Sequence, residues 1–290
     1  MTQIVESLAD ISAPYDALFC DLWGCVHDGH KPFDEAVAAL RGFREKGGTV
    51  VLVTNAPRHR ASVERHLAQM GLPDDTWDTI ATSGDAARAA MFMGAVGEKV
   101  WFMGEDRDRE FFDPMQIIDD PVEIRRVDLK EAEGIVCAGP FDPLAPLEDL
   151  RPDLLYAKQK GLPLLCANPD IVVDRGDVRE WCAGAVAALY TEMGGESLYF
   201  GKPHPPIYDL ARRRLSALGK QPSDSRILAV GDGIATDIKG ALGEDIDSLF
   251  ITGGLAREET QTGRQPVQKA LDTYVNKEMV TPTFAMGYLR

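Results

Sequence analysis

The short apolar run Ala17-Leu18-Phe19-Cys20 ends at Asp21, and Gly24 follows three residues later. A core run closed by a carboxylate and a turn glycine predicts a buried strand that delivers Asp21 to the rim of a sheet. The next segments repeat one theme. Ala36, Val37, Leu40 and Phe43 fall at helical spacing within 33–46, Gly47-Gly48 stops that helix, and residues 49–53 read as a second strand. Strand, helix and strand on this scale predict parallel pairing through a right-handed crossover. A helix over 60–70 continues the pattern. Helices are expected near 85–93, 154–160 and 183–193, with strands at 100–103, 134–138 and 164–167. A third block gives a helix at 206–218, strands at 227–230 and 248–251, and helices at 235–242 and 267–277. The simplest architecture is α/β, one parallel-sheet domain interrupted by another. The chain leaves near residue 83 and returns near 200, so that 1–82 and 200–290 form the core and 83–199 the insertion.

A chain of 290 residues with 44% hydrophobic composition can bury such a core. Its 31 basic and 46 acidic residues leave a formal charge of −15, which disfavours nucleic acid and anionic membranes as partners. A small anionic ligand stays open, because a local cation or a divalent metal reverses the field inside a pocket. Cys20, Cys25, Cys137, Cys166 and Cys182 lie among apolar neighbours without metal-type spacing and read as buried thiols in a reducing compartment. The acidic first ten residues do not resemble a signal peptide, and no apolar stretch is long enough to span a bilayer, so a cytoplasmic location is expected.

Three further segments can share chemistry with Asp21. Thr54-Asn55 ends the second strand with a hydroxyl and an amide that can donate to a phosphoryl group. Lys202, between Gly201 and Pro203, supplies a cation, and Gly231-Asp232-Gly233 with Asp237 carries two acids out of a strand on a tight loop. Magnesium prefers oxygen ligands and keeps waters, so a few carboxylates and a phosphate oxygen suffice to hold it. Taken singly, each of these residues reads as a turn, cap or solvent residue. The order Asp21, Thr54, Lys202, Asp232, Asp237, each near a strand exit, is far more specific.

In Asp-Leu-Trp-Gly at 21–24, Thr54-Asn55, Gly201-Lys202-Pro203 and Gly231-Asp232 through Asp237, the chain resembles the haloacid dehalogenase superfamily of phosphohydrolases. The long insertion is similar to the cap of class IIA members, the p-nitrophenylphosphatase-like and sugar-phosphatase-like enzymes. The resemblance implies a Rossmann-like parallel-sheet core with an inserted α/β cap domain. It also implies a Mg2+-dependent phosphatase that acts on a small phosphorylated metabolite through an aspartyl-phosphate. On that basis Asp21 is the nucleophile and a metal ligand, Thr54 and Asn55 bind phosphate, and Lys202 neutralises charge. Asp232 and the backbone carbonyl of Trp23 ligate the metal, and Asp237 either joins them or orients Lys202. Asn168, Asp170, Arg179 and Trp181 are the candidates for substrate specificity, and a homodimer through the cap is an expectation from the resemblance alone.

The departure is Trp23. Resembling phosphatases usually carry there an aspartate that protonates the leaving oxygen and then activates water, and an indole does neither. Loss of such help costs about 10²–10⁴ in rate. His27 and Asp28 are the nearest groups able to replace it. Two functions therefore stay in view: a slow phosphomonoester hydrolase, or a phosphometabolite-binding regulatory protein with little or no turnover.

Overall fold

The computed structural model describes residues 2–114, 120–175 and 178–290. They fall into two units, one of Met1–Thr54, Glu64–Ala81 and Tyr208–Arg290, the other of Asn55–Val63 and Thr82–Ile207. Residues 55–63 and 200–207, which the sequence assigns to the core, thus pack with the inserted segment.

The first unit is built on a seven-stranded sheet. Its strands are β1 (Gln3–Ile4), β2 (Ala17–Cys20), β3 (Thr49–Thr54), β4 (Thr79–Thr82), β12 (Ile227–Gly231), β13 (Asp247–Ile251) and β14 (Phe284–Met286), in the order β1-β14-β13-β12-β2-β3-β4. The pairs β12–β2 and β2–β3 are parallel, with Val230 and Leu52 both opposite Cys20. Every residue of β2 and β3 is buried, which explains why these strands are continuous apolar runs rather than alternating ones. From β2 the chain moves outward through β3 and β4; on its return it lays β12 on the other side of β2. The strand order therefore reverses beside β2, and the crevice outside the carboxyl ends at such a reversal is where open parallel sheets bind ligands.

Helix α1 (Asp34–Glu45) buries the predicted stripe of Ala36, Val37, Leu40 and Phe43, starts with two acids and has Arg44 in its last turn. Burial of Val37, Leu40 and Phe43 contributes about 1.5–3 kcal/mol each. Helix α2 (Arg60–Met70) follows β3, and α6 (Pro205–Ala217) precedes β12 in the chain. The helix expected over 235–242 is instead one π-helical turn, Ile234–Ile238, running into the short α7 (Lys239–Gly243). Its residues Ile234 and Ile238 pack on Phe250, and on Leu271 and Val275 of α8 (Gln268–Lys277).

The second unit has a five-stranded parallel sheet of order β11-β8-β7-β5-β6, formed by β5 (Lys99–Met103), β6 (Arg125–Arg126), β7 (Gly134–Cys137), β8 (Leu164–Cys166) and β11 (Ser197–Tyr199). Side chains alternate across it. Ile135, Cys137 and Leu164 pack on α4 (Arg151–Gln159) and α5 (Ala183–Glu192), whereas Val100, Val136 and Leu165 pack on α3 (Ser83–Phe92). Thr82 caps α3 by accepting from the Asp85 amide at 2.9 Å. An antiparallel hairpin, β9 (Val172–Arg175) with β10 (Val178–Trp181), stands apart from this sheet. Among the described residues, no helix is long and apolar enough to cross a membrane.

Candidate active site

Three adjacent strands, β3, β2 and β12, end together with Thr54, Asp21 and the Gly231-Asp232 pair at one edge of the first sheet. Asp21 extends the ladder, its amide donating to the Val230 carbonyl at 2.8 Å. The chain then turns sharply: Val26 and His27 donate to the Leu22 carbonyl, and Gly24 donates to that of His27. Gly24 has φ +69, and a Cβ placed there would lie 2.1 Å from Asp232 Oδ2; a Cβ at Gly254 would lie 2.0 Å from the same atom. Two glycines thus form a cradle that no other residue could line, and Asp232 Oδ2 accepts from the Leu255 amide within it.

One ligand atom each from Asp21, Cys25 and Asp232 lie within 4.8 Å of one another. Asp21 is 9% exposed and Asp232 6%. Two carboxylates so close and so nearly dry repel each other unless a cation intervenes, and their oxygens suit a hard divalent ion that completes its shell with water. Cys25 is a different donor. Burial first, then the Asp232 and Asp21 carboxylates, push its thiol well above its ordinary range, so it sits there as a neutral S–H. The sequence reading did not include Cys25 in the cluster; the signal was the Gly24 turn, which folds the fourth residue after Asp21 back beside it. Asp237 lies outside this cluster of three. It is buried in the π turn, and its Oδ2 accepts from the Gly233 amide at 3.1 Å.

Lys202 and Asn55 form a second group, inside the other unit. Asn55 Oδ1 accepts from the Lys202 amide at 2.7 Å, while its Nδ2 donates to the Lys202 carbonyl at 3.1 Å and to Asp170 Oδ1 at 2.8 Å. A Cβ at Gly201 would stand 2.5 Å from Asn55 Oδ1, so glycine at that position admits the amide. Lys202 is 3% exposed. The Asp170 amide in turn donates to Asn168 Oδ1. Asp170, expected to read the substrate, is therefore tied to the Asn55 amide. Arg179 is an exposed residue of the hairpin, whereas Asn168 and Trp181 line a cavity of about 90 Å³ together with Arg58, Glu105, Asp108 and Glu180. No residue pattern in the sequence joined these four charged residues, which come from three separate segments: Arg58, the Glu105–Asp108 turn, and Glu180 on β10.

The geometry does not support the expectation that His27 or Asp28 replaces the missing acid. His27 is buried, its Nδ1 accepts from the Gly29 amide at 3.0 Å, and burial, then the nearby His66, lower its pKa to about 4 against a pull upward from Asp28. It is neutral at physiological pH, with its proton on Nε2, and is a poor acid and a weak base. Asp28 is exposed, and the Lys31 and His30 amides that its Oδ1 accepts hold it below the ordinary carboxylate range. Trp23 meets His27 edge-on, ring centroids 5.3 Å apart, and lies so close to Gly29 that a Cβ there would be 2.3 Å from its Cη2. The indole is held in its own loop.

Family models agree with this arrangement. Residues 18–117 match a haloacid dehalogenase-like hydrolase model and residues 199–275 an HAD-hydrolase-like model. A hydrolase of the haloacid dehalogenase-like family from Brucella suis 1330 is 37% identical, with 99% of this chain and all of that one covered and a TM-score of 0.84. A possible sugar phosphatase from Cytophaga hutchinsonii is 19% identical with a TM-score of 0.77, covering 99% of this chain and 98% of that one. The D-glycerol 3-phosphate phosphatase of Mycobacterium tuberculosis is 26% identical over 94% of this chain and 72% of that protein. With the strand-end carboxylates in place and this similarity across the full chain, the protein belongs to the haloacid dehalogenase-like hydrolases, as a phosphohydrolase with the class IIA type of fold.

Proposed function

We propose that the protein hydrolyses a small phosphomonoester with magnesium as its metal, and that Asp21 is the nucleophile. The observation that carries this reading is the pair of nearly buried carboxylates, Asp21 and Asp232, converging in a two-glycine cradle at a strand-order reversal. Magnesium held by Asp21, Asp232 and the backbone carbonyl of Trp23 would supply positive charge beside the phosphate oxygens. An Asp21 oxygen attacks phosphorus, the bond to the alcohol oxygen breaks, and that oxygen takes its proton from water. Water then attacks the phosphorus of the aspartyl-phosphate, the bond to Asp21 breaks, and inorganic phosphate leaves with the carboxylate restored. Thr54 donates to the phosphoryl oxygens, Lys202 offsets their charge, and Asn55 fixes the Lys202 backbone at both its amide and its carbonyl. Asp237 braces the loop that carries Asp232. Residues 83–199 act as the cap that selects the alcohol.

Both proton transfers lack a side-chain partner in this scheme, because Trp23 is held against Gly29 and His27 is neutral. That favours a second reading, a phosphometabolite-binding protein of negligible turnover. Incubation with magnesium and p-nitrophenyl phosphate, acid quench and peptide mass analysis separate them. Phosphate on the peptide containing Asp21, absent in Asp21→Asn, supports the enzyme. Hydrolysis that survives Asp21→Asn removes this mechanism.

A further inference from the structure

One side of Asp232 is set by a loop of the first unit, residues 252–262, which leaves β13 and returns to its own start. The Leu255 amide donates to Asp232 Oδ2 at 3.1 Å, and Gly254 is so near that a Cβ on it would stand 2.0 Å from the same oxygen. Where the 254–255 backbone sits therefore decides where that oxygen can point. The outer side of the loop is solvent, with Leu255, Arg257, Glu258 and Glu259 exposed. Its inner side carries three buried threonines, Thr252, Thr260 and Thr262. The Thr262 hydroxyl donates to that of Thr252 at 2.8 Å, and Thr252 donates to the Met286 carbonyl at 3.2 Å. The Thr260 hydroxyl donates to the Ala256 carbonyl at 2.6 Å and lies 2.7 Å from that of Thr262. Thr252 is a fixed post, because its amide and that of Gly253 extend the ladder to the Met286 and Gly287 carbonyls at 2.8 and 2.7 Å. The line of hydroxyls thus runs from β14 to the residue that follows Leu255.

We infer that Thr252, Thr260 and Thr262 are positioning residues for Asp232, their hydroxyls holding the loop closed so that the Leu255 amide and Gly254 aim the carboxylate at the metal. This rests on the reading above, in which Asp232 holds magnesium. Apolar side chains of similar shape would close a buried loop by packing, at little or no loss of stability when all the partners are replaced together. Hydroxyls close it through contacts of defined length and direction. Magnesium gives that difference a use, since it accepts only near-ideal octahedral geometry at short distances and a ligand oxygen that wanders binds it poorly. The backbone follows the same path: the Thr262 amide donates to the Arg257 carbonyl at 2.9 Å, and the Arg257 amide to that of Gly254 at 3.2 Å. A shift at Thr262 is thereby passed to the glycine that touches Asp232. Outer partners that orient a metal ligand commonly carry about 10–100-fold of the affinity for the ion.

The test is calorimetric titration of magnesium into the intact chain. Thr262→Val is expected to weaken magnesium binding about tenfold, and Thr262→Ser, which keeps the hydroxyl, to stay within about threefold of the wild type. In p-nitrophenyl phosphate hydrolysis, the magnesium concentration for half-maximal rate is expected to rise about tenfold in Thr262→Val, while KM for the ester at saturating magnesium changes by less than about twofold. Asp232→Asn is the reference. Magnesium binding in it as tight as in the wild type overturns the metal-site reading and the positioning role together. Loss of the metal in Asp232→Asn with unchanged affinity in Thr262→Val, even at a lowered Tm, overturns the positioning role alone. Where Thr262→Val does not fold, hydrogen exchange on the wild-type protein decides: by linkage, magnesium is expected to slow exchange of the amides over 255–262, and unchanged exchange there overturns the proposal.

Discussion

On the proposed mechanism, the side chain at position 23 bears on the rate of both chemical steps. Trp23 packs edge-on to His27 and against Gly29, so the loop after β2 is shaped around an indole. Replacement of Trp23 by aspartate is expected to raise the single-turnover rate of aspartyl-phosphate formation from an alkyl phosphomonoester by about 10²-fold, and far less from p-nitrophenyl phosphate, whose phenolate leaves unaided. A parallel gain in that rate for both substrates, or for neither, contradicts the assignment of the missing proton transfer to this position. His27 gives a second measurement at the same scale. Its folded pKa of about 4 lies below the ordinary 6.5, so the unfolded chain binds the extra proton first as pH falls. Stability from the neutral buried ring is complete above pH 6.5 and is lost between 6.5 and 4, by about 3 kcal/mol at most. Urea denaturation across that range is expected to show this acid limb, and His27→Gln to flatten it.

Among the elements, α3 carries a structural ion pair with a long reach. Arg88 is almost fully buried, stands 3.5 Å from Asp85, and donates through Nε to the Phe111 carbonyl at 2.8 Å and through Nη2 to that of Asp113 at 2.5 Å. Arg88→Ala leaves the buried Asp85 carboxylate without this cation and frees residues 111–113, and is expected to cost about 3–5 kcal/mol in thermal unfolding. A loss below 1 kcal/mol would show that this contact is not structural. The central strands were legible because both their faces are buried, which writes them as unbroken apolar runs; α1 was legible because only one of its faces is. β1, with two residues, is too short to leave a pattern, and β9–β10 carries Asp174, Arg175, Arg179 and Glu180, a composition that reads as loop. The π turn at 234–238 hides inside a helical pattern. Asp21, Thr54, Lys202 and Asp232 were legible as strand-exit residues. Cys25 and the cavity wall were not, because their positions follow from turns and loops that meet only in three dimensions.

For the molecule as a whole, the scheme divides turnover into formation and hydrolysis of the aspartyl-phosphate. A good leaving group speeds only the first. Rapid mixing with p-nitrophenyl phosphate is therefore expected to give a burst approaching one nitrophenolate per chain before slow steady release, with phosphate recovered on Asp21 during the slow phase. Linear release from the first turnover would place the slow step before the intermediate. The surplus of acidic residues over basic ones makes the supply of cations part of the same account. Chelation of divalent ions is expected to abolish turnover, and magnesium to restore it.

The parallel sheet of the first unit has one further consequence. Asp21, Thr54 and Asp232 stand at the tips of three different strands, each fixed by its own ladder of backbone bonds. An exchange at one tip, such as an indole for an acid, leaves the other two in register. Evolution can in this way retune the chemistry of such a scaffold one loop at a time, keeping a folded intermediate at every step.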